Sequence, residues 1–227
     1  MHRLAILFPL LFLAACATHP PLDAECAANA MCAARAAEPA VIAATHGAAA
    51  RREDDLVLHP KNAPPLHLTD DMASCAQADI RNCVGYALMA AVPRAQAWVA
   101  QQFLYEGSSF LLIDSGTGRQ TRLNGMPVFS PDGREFLVAP YDLESDVGPN
   151  DLEIWRRDGD GAVLEWAHAA APSDVEETTP PIITVTDWRD GRIALSFQSP
   201  SGPPSRWQGS LTRSAEGWSL IVNAPRS

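Results

Sequence analysis

Short stretches of alternating side chains, separated by tight-turn sequences, recur along the chain from about residue 55 onward. In residues 193–198, large apolar side chains alternate with small or polar ones, which is the period of a β-strand with one buried face. Turn sequences at residues 158–161 and 189–191 contain the glycines that tight hairpins need, because glycine adopts positive φ without strain. The pattern therefore predicts an all-β fold built of consecutive antiparallel hairpins.

The spacing of these stretches divides the chain into an antiparallel hairpin meander of about thirteen short strands, with no long amphipathic helix. The predicted strands span residues 56–59, 66–69, 84–92, 97–105, 109–114, 119–123, 135–139, 152–156, 162–166, 182–188, 192–197, 206–211 and 218–222.

Two adjacent segments resemble a known repeat. Residues 110–123 (FLLIDSGTGRQTRL) resemble the paired outer strands of a β-propeller blade, and residues 127–138 (PVFSPDGREFLV) resemble the opening of the next blade. The element Phe-Ser-Pro-Asp-Gly before an apolar strand recurs in WD-like and Tol-system propeller repeats. The resemblance implies that Phe129 packs between neighbouring sheets. About thirteen strands make little more than three blades, whereas closed propellers usually have about four to eight, so both a small closed propeller and an open blade stack remain possible.

The first sixteen residues resemble the signal of a bacterial lipoprotein. A basic start (MHR) is followed by an uncharged stretch to Ala15, which is the layout of a secretory signal and is too short to span a bilayer as a helix. The stretch ends Leu-Ala-Ala-Cys at Cys16, as in the lipobox of that family. The resemblance implies that residues 1–15 are removed and that Cys16 carries a lipid. An ordinary secretory signal, cleaved after the two alanines, is the alternative.

The predicted anchor and the net charge indicate the location and the partners. By resemblance to bacterial sorting signals, Ala17 favours the outer membrane, with the protein facing the periplasm. The chain has a formal charge of −10, and loss of Arg3 with the signal makes the mature chain −11. This charge disfavours binding to nucleic acid. We therefore expect a membrane contact through the N-terminal lipid, an envelope protein as partner, and no cofactor.

The segment between the anchor and the strands has a different composition. Fifteen of residues 17–50 are alanine, and few are large and apolar, so the segment has little surface to bury. Residues 16–50 are therefore predicted to be the lipidated cysteine and an Ala-rich tether, with helical turns around residues 27–37. Residues 51–227 are predicted to form the β domain.

Four cysteines follow Cys16, and an even number in an exported chain indicates two disulfides. Three pairings are possible, and proximity in sequence favours Cys26–Cys32 and Cys75–Cys83. Zinc is the alternative, but spacings of five and seven intervening residues are poor for a zinc site, and no histidine stands near in a ligand pattern.

The sequence contains no recognisable catalytic set. Residues 106–110 come nearest to the nucleophile elbow of serine hydrolases but lack its second glycine, so Ser108 is interpreted as a turn residue at the start of a strand. The histidines lack metal-ligand spacing, and the acidic residues between 142 and 153 do not follow the order of a calcium loop. No catalytic or metal-binding residue is predicted.

Candidate binding residues come from the tryptophans and from the acidic loop. Most of the six tryptophans are expected between sheets, but Trp188 and Trp207 are candidates for an exposed binding face. Asp142 and Glu144 are candidates on the loop. The favoured function is an envelope-anchored lipoprotein acting as a non-enzymatic protein-binding or structural module. The alternative is a periplasmic hydrolase of peptide or glycan, with acidic residues such as Asp142 or Glu144 as acid and base.

Overall fold

The computed structural model describes Cys26 and residues 29–139, 151–169, 182–189, 191–198 and 206–223. Within these residues the chain forms two α-helices, α1 (Ala30–Ala44) and α2 (Met72–Ala76), and a 3-10 turn at Pro93–Ala95. It also forms fifteen strands, which are β1 (Ala49–Arg52), β2 (Asp55–Leu58), β3 (Leu66–Thr69), β4 (Val84–Val92), β5 (Ala97–Leu104), β6 (Gly107–Asp114), β7 (Gln120–Leu123), β8 (Pro127–Phe129), β9 (Glu135–Val138), β10 (Asp151–Asp158), β11 (Gly161–Ala169), β12 (Ile182–Arg189), β13 (Arg192–Gln198), β14 (Arg206–Ser214) and β15 (Gly217–Asn223).

The strands form four antiparallel sheets, and in each sheet consecutive strands pair with one another. Sheet 1 contains β1–β3, sheet 2 contains β4–β7, sheet 3 contains β8–β11 and sheet 4 contains β12–β15. The predicted all-β, antiparallel, blade-like meander is confirmed. The described strands number fifteen where about thirteen were predicted, because the sequence pattern missed the short strands β1 and β8.

Sheet 2 is apolar on both faces, and this causes the sheets to stack. Along β5, Trp98 and Ala100 belong to the core that contains Leu56 of sheet 1. The residues between them point the other way, and Val99 belongs to the core that contains Phe136 of sheet 3. Each apolar face must be covered by another layer, so sheet 2 is held between sheets 1 and 3.

Sheet 3 repeats this arrangement. Phe129 is buried between sheets 2 and 3, as the blade resemblance implied, with its ring centroid 5.3 Å from that of Phe136. On the other face, Leu137 and Ile154 pack in a core with Leu195 of sheet 4. The described residues form no core between sheet 4 and sheet 1, so they correspond to the open stack of blades.

Helix α1 lies along the free edge of β4, inside the segment that was predicted to be a tether. Asn29 begins the helix by accepting a hydrogen bond of 2.9 Å from the Cys32 amide. Glu38 is only 3% exposed. It accepts a hydrogen bond of 2.7 Å from the amide of Leu88 and one of 2.8 Å from Nη2 of Arg51. The carboxylate therefore accepts a hydrogen bond from a backbone amide that the edge strand would otherwise leave unpaired.

A second carboxylate accepts a hydrogen bond in the same way from an amide two residues earlier on β4. Asp70 accepts a hydrogen bond of 2.7 Å from the amide of Tyr86 and is ion-paired with Arg35 of α1. Its other near cation is Arg51, with 3.7 Å between Nη1 and Oδ2. Two arginines and two carboxylates thus form one network between α1, sheet 1 and β4.

Helix α1 therefore packs on the sheets although it lies before the predicted boundary at residue 50. Composition suggested a tether because large apolar residues are scarce there. The helix docks instead through small alanines, through the buried charges described above, and through Val41 and Ile42, which pack against the core between sheets 1 and 2.

We expect Glu38→Gln to lower the free energy of unfolding by about 1–3 kcal/mol, because the largely buried Arg51 would lose its closest carboxylate and keep only Asp70, 3.7 Å away. Glu216→Gln is a matched control, since this exposed residue lies in the β14–β15 turn and should change stability by less than about 0.5 kcal/mol. Urea unfolding followed by circular dichroism measures both. Equal stability of the two variants would show that the network does not hold α1 in place.

Candidate functional site

The stack of sheets has two different ends. The turn end carries the connections at residues 60–63, 93–96, 115–118, 130–133 and 158–160. The opposite end, named here the pocket end, carries the starts of α1 and β4, the β5–β6 hairpin and the β7–β8 link at residues 124–126.

Contacts between neighbouring sheets close the turn end. The amide of Asn62 in sheet 1 donates a hydrogen bond of 2.7 Å to the carbonyl of Gly116 in the β6–β7 turn of sheet 2. Asp114 of sheet 2 is paired with Arg157 of sheet 3 at 2.6 Å, and both side chains are at least nine-tenths buried. These turns fix the spacing between consecutive sheets.

The Ser-Pro-Asp-Gly turn contributes to the same contact. Gly133 has φ +74°, and a Cβ there would lie 2.8 Å from the backbone of Arg94 in sheet 2, so glycine is required for the close approach. Asp132 accepts hydrogen bonds from the Arg134 amide at 3.0 Å and from the Ser130 hydroxyl at 2.7 Å. These bonds, the backbone bond first, lower the pKa of Asp132 below its ordinary value.

Two disulfides fasten the pocket end. Cys83, directly before β4, is bonded to Cys75 in α2, and Cys32 in the first turn of α1 is bonded to Cys26. Both predicted pairings are confirmed. Each bond closes a short loop, so the connections that lead into α1 and β4 have few alternative conformations.

A cavity of about 370 Å³ opens between sheets 2 and 3 at the pocket end. Its volume is within the range of pockets that hold small ligands or single side chains of a partner. The cavity is lined by Ala30, Gln101, Ser108, Phe110, Asn124, Gly125, Met126 and Ala139.

The cavity continues the face of sheet 2 that forms the core with sheet 3. Gln101 and Phe110 are paired across β5 and β6, on the same face as Val99 and Leu112, but nearer the pocket end. The apolar core thus gives way to polar groups where the two sheets separate.

The chemistry of the lining is neutral. Gln101 donates a hydrogen bond of 3.2 Å from Nε2 to Oγ of Ser108, and Asn124 adds a second amide. Phe110 and Met126 supply apolar surface. Among the described residues that line the cavity none has an ionisable side chain, so these residues supply hydrogen bonds and packing but no general acid or base.

The two tryptophans that were predicted as binding residues do not line the cavity. Trp188, predicted at an exposed binding face, is only 8% exposed and packs in the core between sheets 3 and 4. It is buried because it lies opposite Ile193 on the inward face of sheet 4, so the exposed position predicted for it was wrong. Trp207 is half-buried and stacks on Phe197 with 5.8 Å between ring centroids, on the same inward face.

The other predicted site residues are not tested by the structure. Cys16, Asp142 and Glu144 lie outside the described residues. In the part of the chain that the structure describes, no three side chains of histidine, cysteine, aspartate or glutamate form a cluster that could hold a metal ion. None of the described helices is both long enough and apolar enough to cross a membrane.

Sequence reasoning missed the cavity because its residues carry no signal of their own. Gln101, Ser108 and Asn124 are ordinary polar residues of strands and links, and only their position between two sheets brings them together. Comparison with protein-family models, with curated proteins and with solved structures gave no match.

We expect Asp132→Asn to weaken the loss of stability in acid. Because the folded-state pKa of Asp132 is lowered, its hydrogen bonds stabilise the fold above the ordinary carboxyl pKa, and this contribution is lost as pH falls through the lowered value. Unfolding free energies measured from about pH 6 to about pH 2.5 should fall more steeply for the wild type than for the variant. Parallel curves would contradict this role for the turn.

Proposed function

We propose that the protein is a lipid-anchored binding module of the bacterial cell envelope, and that the cavity between sheets 2 and 3 is its binding site. The observation that carries the proposal is the neutral lining of this cavity. Gln101 and Asn124 can each donate and accept hydrogen bonds, as the amides of a polypeptide do. Phe110 and Met126 can pack against an apolar side chain. We propose an uncharged segment of a partner protein as the ligand.

The envelope location is supported by the Leu-Ala-Ala-Cys sequence at Cys16 and by the two disulfides. Disulfides form and persist in oxidising compartments such as the periplasm, whereas they are rare in the bacterial cytosol. The outer membrane remains the proposed address, on the resemblance of the residues around Cys16 to a sorting signal.

The rigid surroundings of the cavity favour recognition. The disulfides, α1 and the interlocked turns hold the sheets, so little conformational entropy is lost when a ligand binds. A hydrolase would require acidic residues such as Asp142 and Glu144 to contact the substrate. The last experiment below discriminates between the two functions.

The first prediction concerns the anchor. Cells fed an alkyne-tagged fatty acid should label the wild-type protein, and Cys16→Ser should abolish the label, because the thiol is the acceptor of the diacylglycerol. Cys83→Ser, together with Cys75→Ser, is the matched control, since it removes cysteines while leaving the signal intact. Equal labelling of Cys16→Ser and wild type would refute the anchor.

The second prediction concerns the cavity. Met126→Trp should fill it and weaken capture of the envelope partner by about tenfold or more, which corresponds to about 1.4 kcal/mol. Leu164→Ser is the control, since this exposed apolar residue lies on β11, away from the cavity. Partner capture is measured after chemical cross-linking in intact cells.

Complementation of a strain that lacks the protein tests the competing enzyme. A binding module should keep its biological output in Asp142→Asn and Glu144→Gln, whereas loss of a catalytic acid or base costs about 10²–10⁴ in rate. A carboxylate variant that is folded and exported but inactive, with capture unaffected by Met126→Trp, would replace the binding module by a hydrolase.

A further inference from the structure

Large apolar side chains are exposed around the pocket end. Ile80 is 58% exposed in the loop closed by Cys75 and Cys83, and Tyr105 is 47% exposed at the tip of the β5–β6 hairpin. Met72 of α2 is 41% exposed, and Met126 at the mouth of the cavity is 37% exposed. These four side chains come from separate elements that all meet at this end.

The other exposed apolar residues are distributed differently. Val128, Val163 and Leu164 lie on strands of sheet 3, and Ile221 lies on the outer face of sheet 4. The described turns at the other end of the stack carry charged residues such as Arg119 and Asp160, which pair with each other at 2.9 Å. Among the described residues, the exposed large apolar side chains that lie outside strands are therefore all at the pocket end.

The chain from the predicted anchor also arrives at the pocket end. The Cys26–Cys32 disulfide ties the chain to the first turn of α1, and Ala30 in that turn lines the cavity. Cys26 is only ten positions after Cys16, so this attachment point lies within about 36 Å of the lipidated residue even if the chain is fully extended. A tether of 34 residues, as the sequence suggested, would have allowed three times that distance.

We infer that the pocket end is a membrane-docking surface and that its occupant is the bilayer in which the lipid of Cys16 is inserted. This inference rests on the proposed lipidation. The short tether keeps the pocket end near the bilayer, and burial of Ile80, Tyr105, Met72 and Met126 in the headgroup region orients the domain. Tyrosine favours this region because its ring is apolar and its hydroxyl is polar.

The charges at this end indicate which lipids matter. The exposed charged residues at this end are Arg52, Glu53 and Asp54 around the β1–β2 turn, together with Arg81 and Glu106. They carry one net negative charge, and the half-buried Asp79 adds another. Anionic lipids therefore give no electrostatic attraction here, and docking depends on apolar burial. The cavity then opens toward the membrane surface, which restricts its ligands to segments of partners that are exposed there.

The test uses the full mature protein in phosphatidylcholine vesicles that contain a lipid with a photoreactive diazirine near the glycerol. After irradiation and digestion, mass spectrometry measures which peptides carry lipid. We expect severalfold more label on residues 72–83 and 104–107 than on residues 217–223, which contain Ile221. Most label on residues 217–223, or on the turns at residues 115–118 and 130–133, would overturn the inference.

Matched variants separate the contributions. Tyr105→Ser combined with Ile80→Ser should reduce the label at the pocket end severalfold, whereas Ile221→Ser should leave it unchanged. Replacing a third of the phosphatidylcholine by phosphatidylglycerol should not increase the label, and an increase would show electrostatic docking instead. Intact mass is measured first. Lipid on Cys16 with label elsewhere refutes the docking surface alone, whereas a mass without lipid refutes the proposed anchor and this inference with it.

Discussion

The burial of both faces of sheet 2 is the constraint on which the rest of the structure depends. Along β5, successive residues face opposite sides, and both sides are apolar over Ala97–Ala100. A sheet of this kind has no face that water can cover at low cost, so it needs a layer on each side. Sheets 1 and 3 supply those layers, and the interlocked turns set their spacing. The blade-like arrangement follows from this requirement.

The cavity lies where the same constraint ends. On the face that meets sheet 3, Val99 and Leu112 pack tightly, and the next residues on that face toward the pocket end are Gln101 and Phe110. Gln101 has its hydrogen-bond partner Ser108 there, and the two sheets separate where these polar groups begin. The proposed binding site is therefore formed by the same strands as the core, without a separate structural element.

Most of the strands could be predicted from the sequence, but few of the contacts between the elements could. Alternation and a glycine turn identify β13, because one buried face leaves a regular pattern along the strand. The three-residue strand β8 is too short to show a period, and Trp188 is buried by its place opposite Ile193, which depends on pairing register. Helix α1 was taken for a tether because large apolar residues are scarce in it, and the buried contacts of Glu38 with Arg51 and with the Leu88 amide depend on β4 lying beside the helix.

The neutral cavity was beyond sequence reasoning for a related reason. Catalytic and metal sites can be recognised from their residue types. Gln101 and Asn124, by contrast, can be assigned to a cavity only from their position in the gap between two sheets. The cysteines were the opposite case, since their even number and short spacings were enough to give both pairings.

The order of the sheets has a consequence for cooperativity. Each sheet is made from consecutive strands, and the described cores join only sheets that are neighbours along the chain, as in a repeat protein. Stability is then approximately a sum of sheet and interface contributions, and opening starts where a sheet has one neighbour and no cap. Sheet 1 is held by α1 and its ion pairs as well as by its core. Among the described residues, sheet 4 has one neighbour, sheet 3, which it contacts through one core and through the pairs of Arg213 with Glu135 and Glu165. Local unfolding therefore begins at the C-terminal sheet, and the N-terminal half exchanges its amide hydrogens last.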